Sequence, residues 1–141
     1  MSVIKYVEAL GHNKLTQTIT FSNEAAGAVS VFTVTGDVLI RIIPVITTDL
    51  TSAAGANIKL GVVGETDAMI VDSLATDLDA RGIWVDQTPD HEIEPVERIR
   101  GYIVTNGNDV ILTLDAQIDT GVIAFYCFWT ALSTDGQVVN A

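Results

Sequence analysis

The side chains in this sequence able to do chemistry are two histidines, one cysteine and a run of carboxylates. His12 and His91 lie far apart, each beside turn-forming residues, and neither has a nucleophile next to it to activate. They read as two exposed imidazoles rather than a general acid–base pair. Cys127 stands between Tyr126 and Phe128, with no base nearby to stabilise a thiolate. It reads as a small packed residue. As the sole cysteine it permits no internal disulfide, so folding does not call for an oxidising compartment.

The carboxylates concentrate between Glu65 and Glu97, where Arg81 is the one base. Asp77 with Asp79, or Asp86 and Asp90 with Glu92 and Glu94, supply the oxygen ligands that a hard cation takes. The glycine-anchored spacing of a calcium loop is missing, however, and Glu92 and Glu94 would share one face of a strand, the pattern of a solvated acidic edge. Glycoside hydrolysis would need paired carboxyls in a cleft, one of them with a raised pKa, and no spacing here implies that. Gly61-Val62-Val63-Gly64 lacks the Lys-Ser/Thr and the helix of a phosphate-binding loop. With 18 acidic and 7 basic residues the formal charge is −11, which disfavours nucleic acid and anionic membranes as partners. The expectation is a protein without catalytic residues, bound metal or cofactor.

The elements that would carry these residues are strands. Val, Ile and Thr recur in short runs between Gly, Asn, Asp and Ser, and 141 residues make one domain. Residues 14–21 alternate, with Leu15, Ile19 and Phe21 on one side and Thr16, Thr18 and Thr20 on the other. A second strand spans 28–35 and closes on Gly36-Asp37. A nearly continuous apolar run over 38–48 contains Pro44, which cannot donate to a ladder, so it should lie at a sheet edge or beside a bulge. Residues 49–57 read as a loop, 58–62 and 67–71 as strands, and 75–82 as one helical turn capped by Thr76 or Asp77 and stopped by Gly82. Short strands are expected at 82–86 and 91–97.

Asn106-Gly107 is the strongest local signal, a type I′ turn that would join residues 98–105 and 108–115 in a hairpin. Ile103 would then face Val110, and Tyr102 would face Ile111. A tight connection at Asp119-Thr120-Gly121 would lead into 122–132, placing Tyr126 and Phe128 inside and Phe125, Cys127 and Trp129 on an outer face with Tyr102 and Ile111. That outer face is too apolar for bulk water, so something must cover it. The whole reads as an all-β antiparallel sandwich of about eight strands, with a jelly roll as the preferred form. Residues 1–13 form a cap or an arm that docks on a neighbour, 14–133 the sandwich and 134–141 a tail. The N-terminus lacks the apolar run of a secretory signal, so the expectation is a soluble protein made and folded in a cytoplasm.

Several stretches resemble a known group. They are Gly36-Asp37-Val38-Leu39-Ile40-Arg41-Ile42-Ile43, Thr48-Asp49-Leu50-Thr51-Ser52-Ala53, Ala75-Thr76-Asp77-Leu78-Asp79-Ala80, Gly82-Ile83-Trp84-Val85-Asp86 and Ile123 to Trp129. The pattern is similar to small virion proteins of tailed bacteriophages, and it resembles most the capsid cement or decoration proteins, including the jelly-roll type on the outside of an HK97-like shell. The resemblance spans most of the chain after about residue 28. It implies a non-catalytic homodimer or homotrimer on the outer surface of a virion, made in the host bacterial cytoplasm and clamping neighbouring major capsid subunits. The candidate contact residues are Val3, Ile4, Tyr6, Tyr102, Ile111, Phe125 and Trp129. The alternative is a lectin-like or Ca-dependent binding module of a phage head or fibre, using an exposed Trp84 and the acidic loops.

Overall fold

The structure, a computed structural model, describes residues 13–86 and 92–141. Nine strands follow in order: β1 (Asn13–Glu24), β2 (Gly27–Thr35), β3 (Val38–Thr51), β4 (Asn57–Val62), β5 (Glu65–Leu74), β6 (Gly101–Val104), β7 (Val110–Leu114), β8 (Ile118–Ala131) and β9 (Gln137–Asn140). They form a four-stranded sheet ordered β1-β8-β3-β6 and a five-stranded sheet ordered β5-β4-β7-β2-β9. Every pairing is antiparallel.

The pairings are nested: β4 with β5, β3 with β6, β2 with β7 and β1 with β8. That is a long hairpin rolled up so that its successive pairs fall alternately into two facing sheets, the jelly roll expected from the sequence. β9 adds to the free edge of β2, so the segment set apart as a tail completes a sheet.

The core lies between the sheets. Alternate residues of β3 (Val38, Ile40, Ile42 and Ile46) face Ile58, Leu60, Leu112 and Leu114 of the other layer, with Phe21, Phe32 and Phe125 filling the width. At roughly 25 cal/mol per Å² of apolar area buried, this layer is the main stabilising term. Trp84 is fully buried, and its indole Nε1 donates to Ser73 Oγ at 2.9 Å. It anchors the segment after β5 and is not a surface aromatic.

The Asn106-Gly107 turn forms as the sequence indicates. Asn106 has φ 58° and Gly107 φ 64°, and the Asn108 N–H donates to Thr105 O at 3.4 Å. The hairpin does not: β6 pairs with β3, Leu39 opposite Ile103, and β7 pairs with β2 and β4 in the other sheet. Turn chemistry is local and partner choice is not. The turn stacks on the β2–β3 corner, where Asp37 Oδ1 accepts the Asn106 N–H at 3.0 Å and Gly36 O accepts the Gly107 N–H at 2.9 Å. Asp109 Oδ1 accepts the Val34 N–H at 2.9 Å. Tied at that corner, the two strands leave it in different sheets.

Asp119-Thr120-Gly121 is likewise no turn. β8 runs unbroken for 14 residues from Ile118, and Gly121 sits inside it opposite Phe21. Gly121 has φ +134°, and a Cβ there would stand 2.8 Å from Leu50, so the signal marked a close approach of two strands. The actual crossing between sheets falls at 115–117.

Pro44 lies opposite Phe125, and its carbonyl turns away from β8 to accept the Trp84 N–H at 2.9 Å. Beyond the end of β6 that side of β3 is bordered by residues 81–84, of whose expected strand only the Val45–Ile83 bridge and its flanking bonds form, and there Pro44 only accepts, so its missing N–H costs nothing. The bulge comes slightly later, between Ile46 and Thr48. β3 also extends through Thr51, well into the expected loop. The expected helical turn is a 3-10 turn at Ala75–Asp77 whose N-cap is Leu74, with no side-chain cap. Of the expected strand at 91–97, residues 92–95 are irregular and a 3-10 turn spans Val96–Arg98. Pro95 and the run of acids give no alternating face to bury there.

Candidate functional site

The outward side of the four-stranded sheet is built by the residues that alternate with the core. From β1 these are Lys14, Thr16, Thr18 and Thr20; from β8, Val122, Ala124, Tyr126, Phe128 and Thr130; from β3, Leu39, Arg41, Ile43 and Val45. Register aligns them into cross-strand rows. One is Thr18–Ala124–Val45, the next Thr16–Tyr126–Ile43, and the third Lys14–Phe128–Arg41. Ile103 of β6, 68% exposed, extends the surface beside Leu39.

The centre of this face is apolar, with Tyr126, Phe128, Ile43, Val45 and Leu39 all half-exposed. Its only charged residues in these rows are Lys14 and Arg41. The Lys14 Nζ stands 5.7 Å from the Tyr126 ring centre and 6.0 Å from that of Phe128, over the aromatic pair. In a chain of formal charge −11 this is a carboxylate-free patch. Its chemistry suits burial against an apolar surface that carries acids.

Sequence reasoning identified β8 as apolar on both sides, which it is, but assigned the sides the wrong way round. Phe125 and Cys127 are fully buried in the core, whereas Tyr126 and Phe128 face out. The error follows from reading Asp119–Gly121 as a turn: pairing β8 with β7 instead of β1 and β3 reverses every side chain. Tyr102 points inward and its hydroxyl donates to Met69 O of the opposite sheet at 3.1 Å. Burial raises its phenol pKa against the opposing pull of Arg100. Trp129 packs half-buried against the core opposite Ile40.

Ile111 lies on the outward side of the other sheet and is also buried. Beside it, a Cβ on Gly61 would collide with the backbone of Glu65 and Thr66, so the start of β5 folds back over that position. Val3, Ile4 and Tyr6 lie outside the described residues, as do His12 and His91. The surface residues that sequence reasoning missed, Tyr126, Phe128, Ile43 and Val45, follow from plain alternation along β3 and β8 once the ladder is known.

Among the described residues the other concave surface is small. A cleft of about 130 Å³ is lined by Met69, Val85, Asp86, Arg98, Arg100 and Tyr102, against roughly 300–1,000 Å³ for small-molecule sites. Three of its polar groups are engaged in structure: Asp86 Oδ1 accepts the Val71 N–H at 3.1 Å, Arg98 Nη1 donates to Glu94 and the Tyr102 hydroxyl donates to Met69 O. Burial pushes the Cys127 thiol up to about 12, the opposite of an activated nucleophile. Among the described residues no three His, Cys, Asp or Glu side chains converge as metal ligands, and no helix is long and apolar enough to cross a membrane.

The acidic segment is tied down rather than aligned as a strand edge. Glu94, its side chain 2% exposed, pairs with Arg98 Nη1 at 3.1 Å, and Glu92 pairs with Arg81 Nε at 3.3 Å. This arrangement turns Ile93 and Val96 outward, 85% and 65% exposed.

No protein-family model and no curated protein matches the chain. Among solved structures, a chain in the acidic stable capsid structure of Helicobacter pylori bacteriophage KHP30 is similar, with a TM-score of 0.47 and 10% sequence identity. The alignment covers 91% of this chain and 94% of that one.

Proposed function

We propose that this chain is a structural virion protein of a tailed bacteriophage, which binds the outside of the capsid, cements neighbouring major capsid subunits and catalyses nothing. The observation that carries the reading is the half-exposed apolar face of the four-stranded sheet, continuous across β8 and β3, the kind of surface that marks a protein contact. The resemblance of the sequence to capsid cement proteins supports the same role. In this reading the protein acts as a homodimer or homotrimer whose outer sheet face is covered on assembly, with Val3, Ile4 and Tyr6 of the N-terminal segment adding contacts to the shell. The net negative charge keeps free subunits apart in solution until they meet their partners. The lectin-like alternative loses its main residue, because Trp84 is sealed in the core.

The test is addition of purified protein to undecorated capsids, followed by sedimentation and a heat challenge. The protein is expected to pellet with the capsids and to raise the temperature at which they fall apart. Capsids that sediment and melt as before would remove the proposal.

A further inference from the structure

We infer that a second copy of this chain docks on the outward face of the four-stranded sheet, and that it does so through its own segment 92–97. The inference deepens the self-association in the proposed function and rests on it. Two surfaces of the molecule are apolar and exposed, and they carry opposite charge. The sheet face presents Tyr126, Phe128 and Ile43 with Lys14 and Arg41 in one row and no carboxylate. The segment presents Ile93 and Val96 beside the exposed Glu97, with Glu92 already paired to Arg81.

The segment is also held in shape before any contact. Glu94 turns inward onto Arg98, Pro95 is extended at φ −62° and ψ 141°, and the 3-10 turn at Val96–Arg98 closes it. Little ordering is left to be done on binding.

Charge decides between the ways two copies can meet. A face-to-face two-fold contact would offer Lys14 and Arg41 of each copy no acid in the opposing rows. A face-to-segment contact sets those cations against Glu97 while burying Ile93 and Val96 on the aromatic pair. Such a contact is heterologous, so it closes into a ring when the rotation permits. Residues 1–12 compete poorly for the same face on charge, since Lys5 and Glu8 leave them without net acidity.

The experiment is sedimentation velocity of the full chain over a range of concentrations, on the parent and on Arg41→Glu, Glu97→Arg and the double variant. Arg41 and Glu97 are exposed, so the fold is expected to survive, and the urea midpoint checks that it does. Each single reversal should weaken association at least about tenfold, because like charges then face each other across the contact. The double variant should recover it. Association indifferent to the reversals, or unrecovered in a folded double variant, overturns the docking while leaving self-association standing. A parent chain monomeric throughout overturns both. Loss of association on removing residues 1–12, with no response to either reversal, makes that segment the occupant and overturns the assignment.

Discussion

The two sheets resemble each other on their inward sides and differ on their outward ones. Both contribute branched aliphatics and phenylalanine to the core. Outside, the four-stranded sheet shows Tyr126, Phe128, Ile43 and Val45 with two cations at its centre, whereas the five-stranded sheet shows Ser30, Thr33, Thr113, Lys59 and Asp72 between Val139 at one edge and Leu74 at the other, and closes over Ile111. Lys59 and Asp72 sit 4.0 Å apart on that polar side, a solvated pair of the kind that contributes little to stability. A sandwich needs only one apolar side per sheet. Apolar surface on the second side of β8 and β3 adds nothing to the fold that the five-stranded sheet does not manage without, and it is the surface on which the proposed function places a partner.

The sharpest way to break this comparison is to place the same charge on each outward side. Ile43→Glu is expected to lower both self-association and capsid binding at least about tenfold, about 1.4 kcal/mol of contact energy. Thr33→Glu should change them by no more than about twofold, as surface substitutions away from contacts do. Co-sedimentation and sedimentation velocity measure both, and equal losses would erase the distinction between the faces.

A smaller effect separates the two sides of β8 itself. Phe125→Ala should cost about 3–5 kcal/mol in urea unfolding, since it empties a filled core site. Phe128→Ala should cost about 1 kcal/mol or less, including its contact with Lys14. A stability loss at Phe128 equal to that at Phe125 would mean the outward side is already part of the core.

The smallest effect is acid dependence at the rim where the sheets exchange strands. Asp115 accepts hydrogen bonds from the Asn57 backbone and side chain, at 2.7 and 3.0 Å. Asp119 accepts from the Ala53 N–H at 2.8 Å and from Gln117. These bonds hold both carboxyl groups below the usual carboxylate range. A carboxyl with a depressed folded-state pKa stabilises above its unfolded value, about pH 4, and that stability drains away as pH falls through the folded value. Unfolding midpoints followed from about pH 6 to about pH 2 should therefore decline less steeply in Asp115→Asn. Arg41→Ala on the outward face should leave the slope unaltered.

Much of the fold was legible because strand formation here is written in period-two alternation and turn residues. Residues 14–21 and 58–62 show it and lie in strands with the expected side buried, and 28–35 is a strand in which a bulge buries both Val31 and Phe32. What was illegible was which strand pairs with which. Asn106-Gly107 specifies two positive φ values and a reversal of direction, and both occur. It does not specify whether the departing strands pair with each other or roll into separate sheets, which depends on Asp37, Gly36 and Val34, some 70 positions earlier in the chain.

The same blindness moved the contact surface. Glycine at 121 serves equally as a turn residue or as relief for a neighbouring strand, and only the packing of Leu50 decides. Taking it as a turn shifted β8 by one position and exchanged Phe125 for Phe128 as the exposed aromatic. That β8 is apolar along both sides was visible from composition, and that it implies a covered surface needed no ladder at all.

The position of β8 between β1 and β3 has a consequence for biosynthesis. A nascent polypeptide that stops short of residue 118 possesses β1, β3 and β6 but not the strand that joins the first to the others, and both aromatics of the outward patch are still unmade. The outward aromatic patch thus comes into being only as the sandwich closes, so that on the proposed function the growing polypeptide is kept out of assembly by its own strand order.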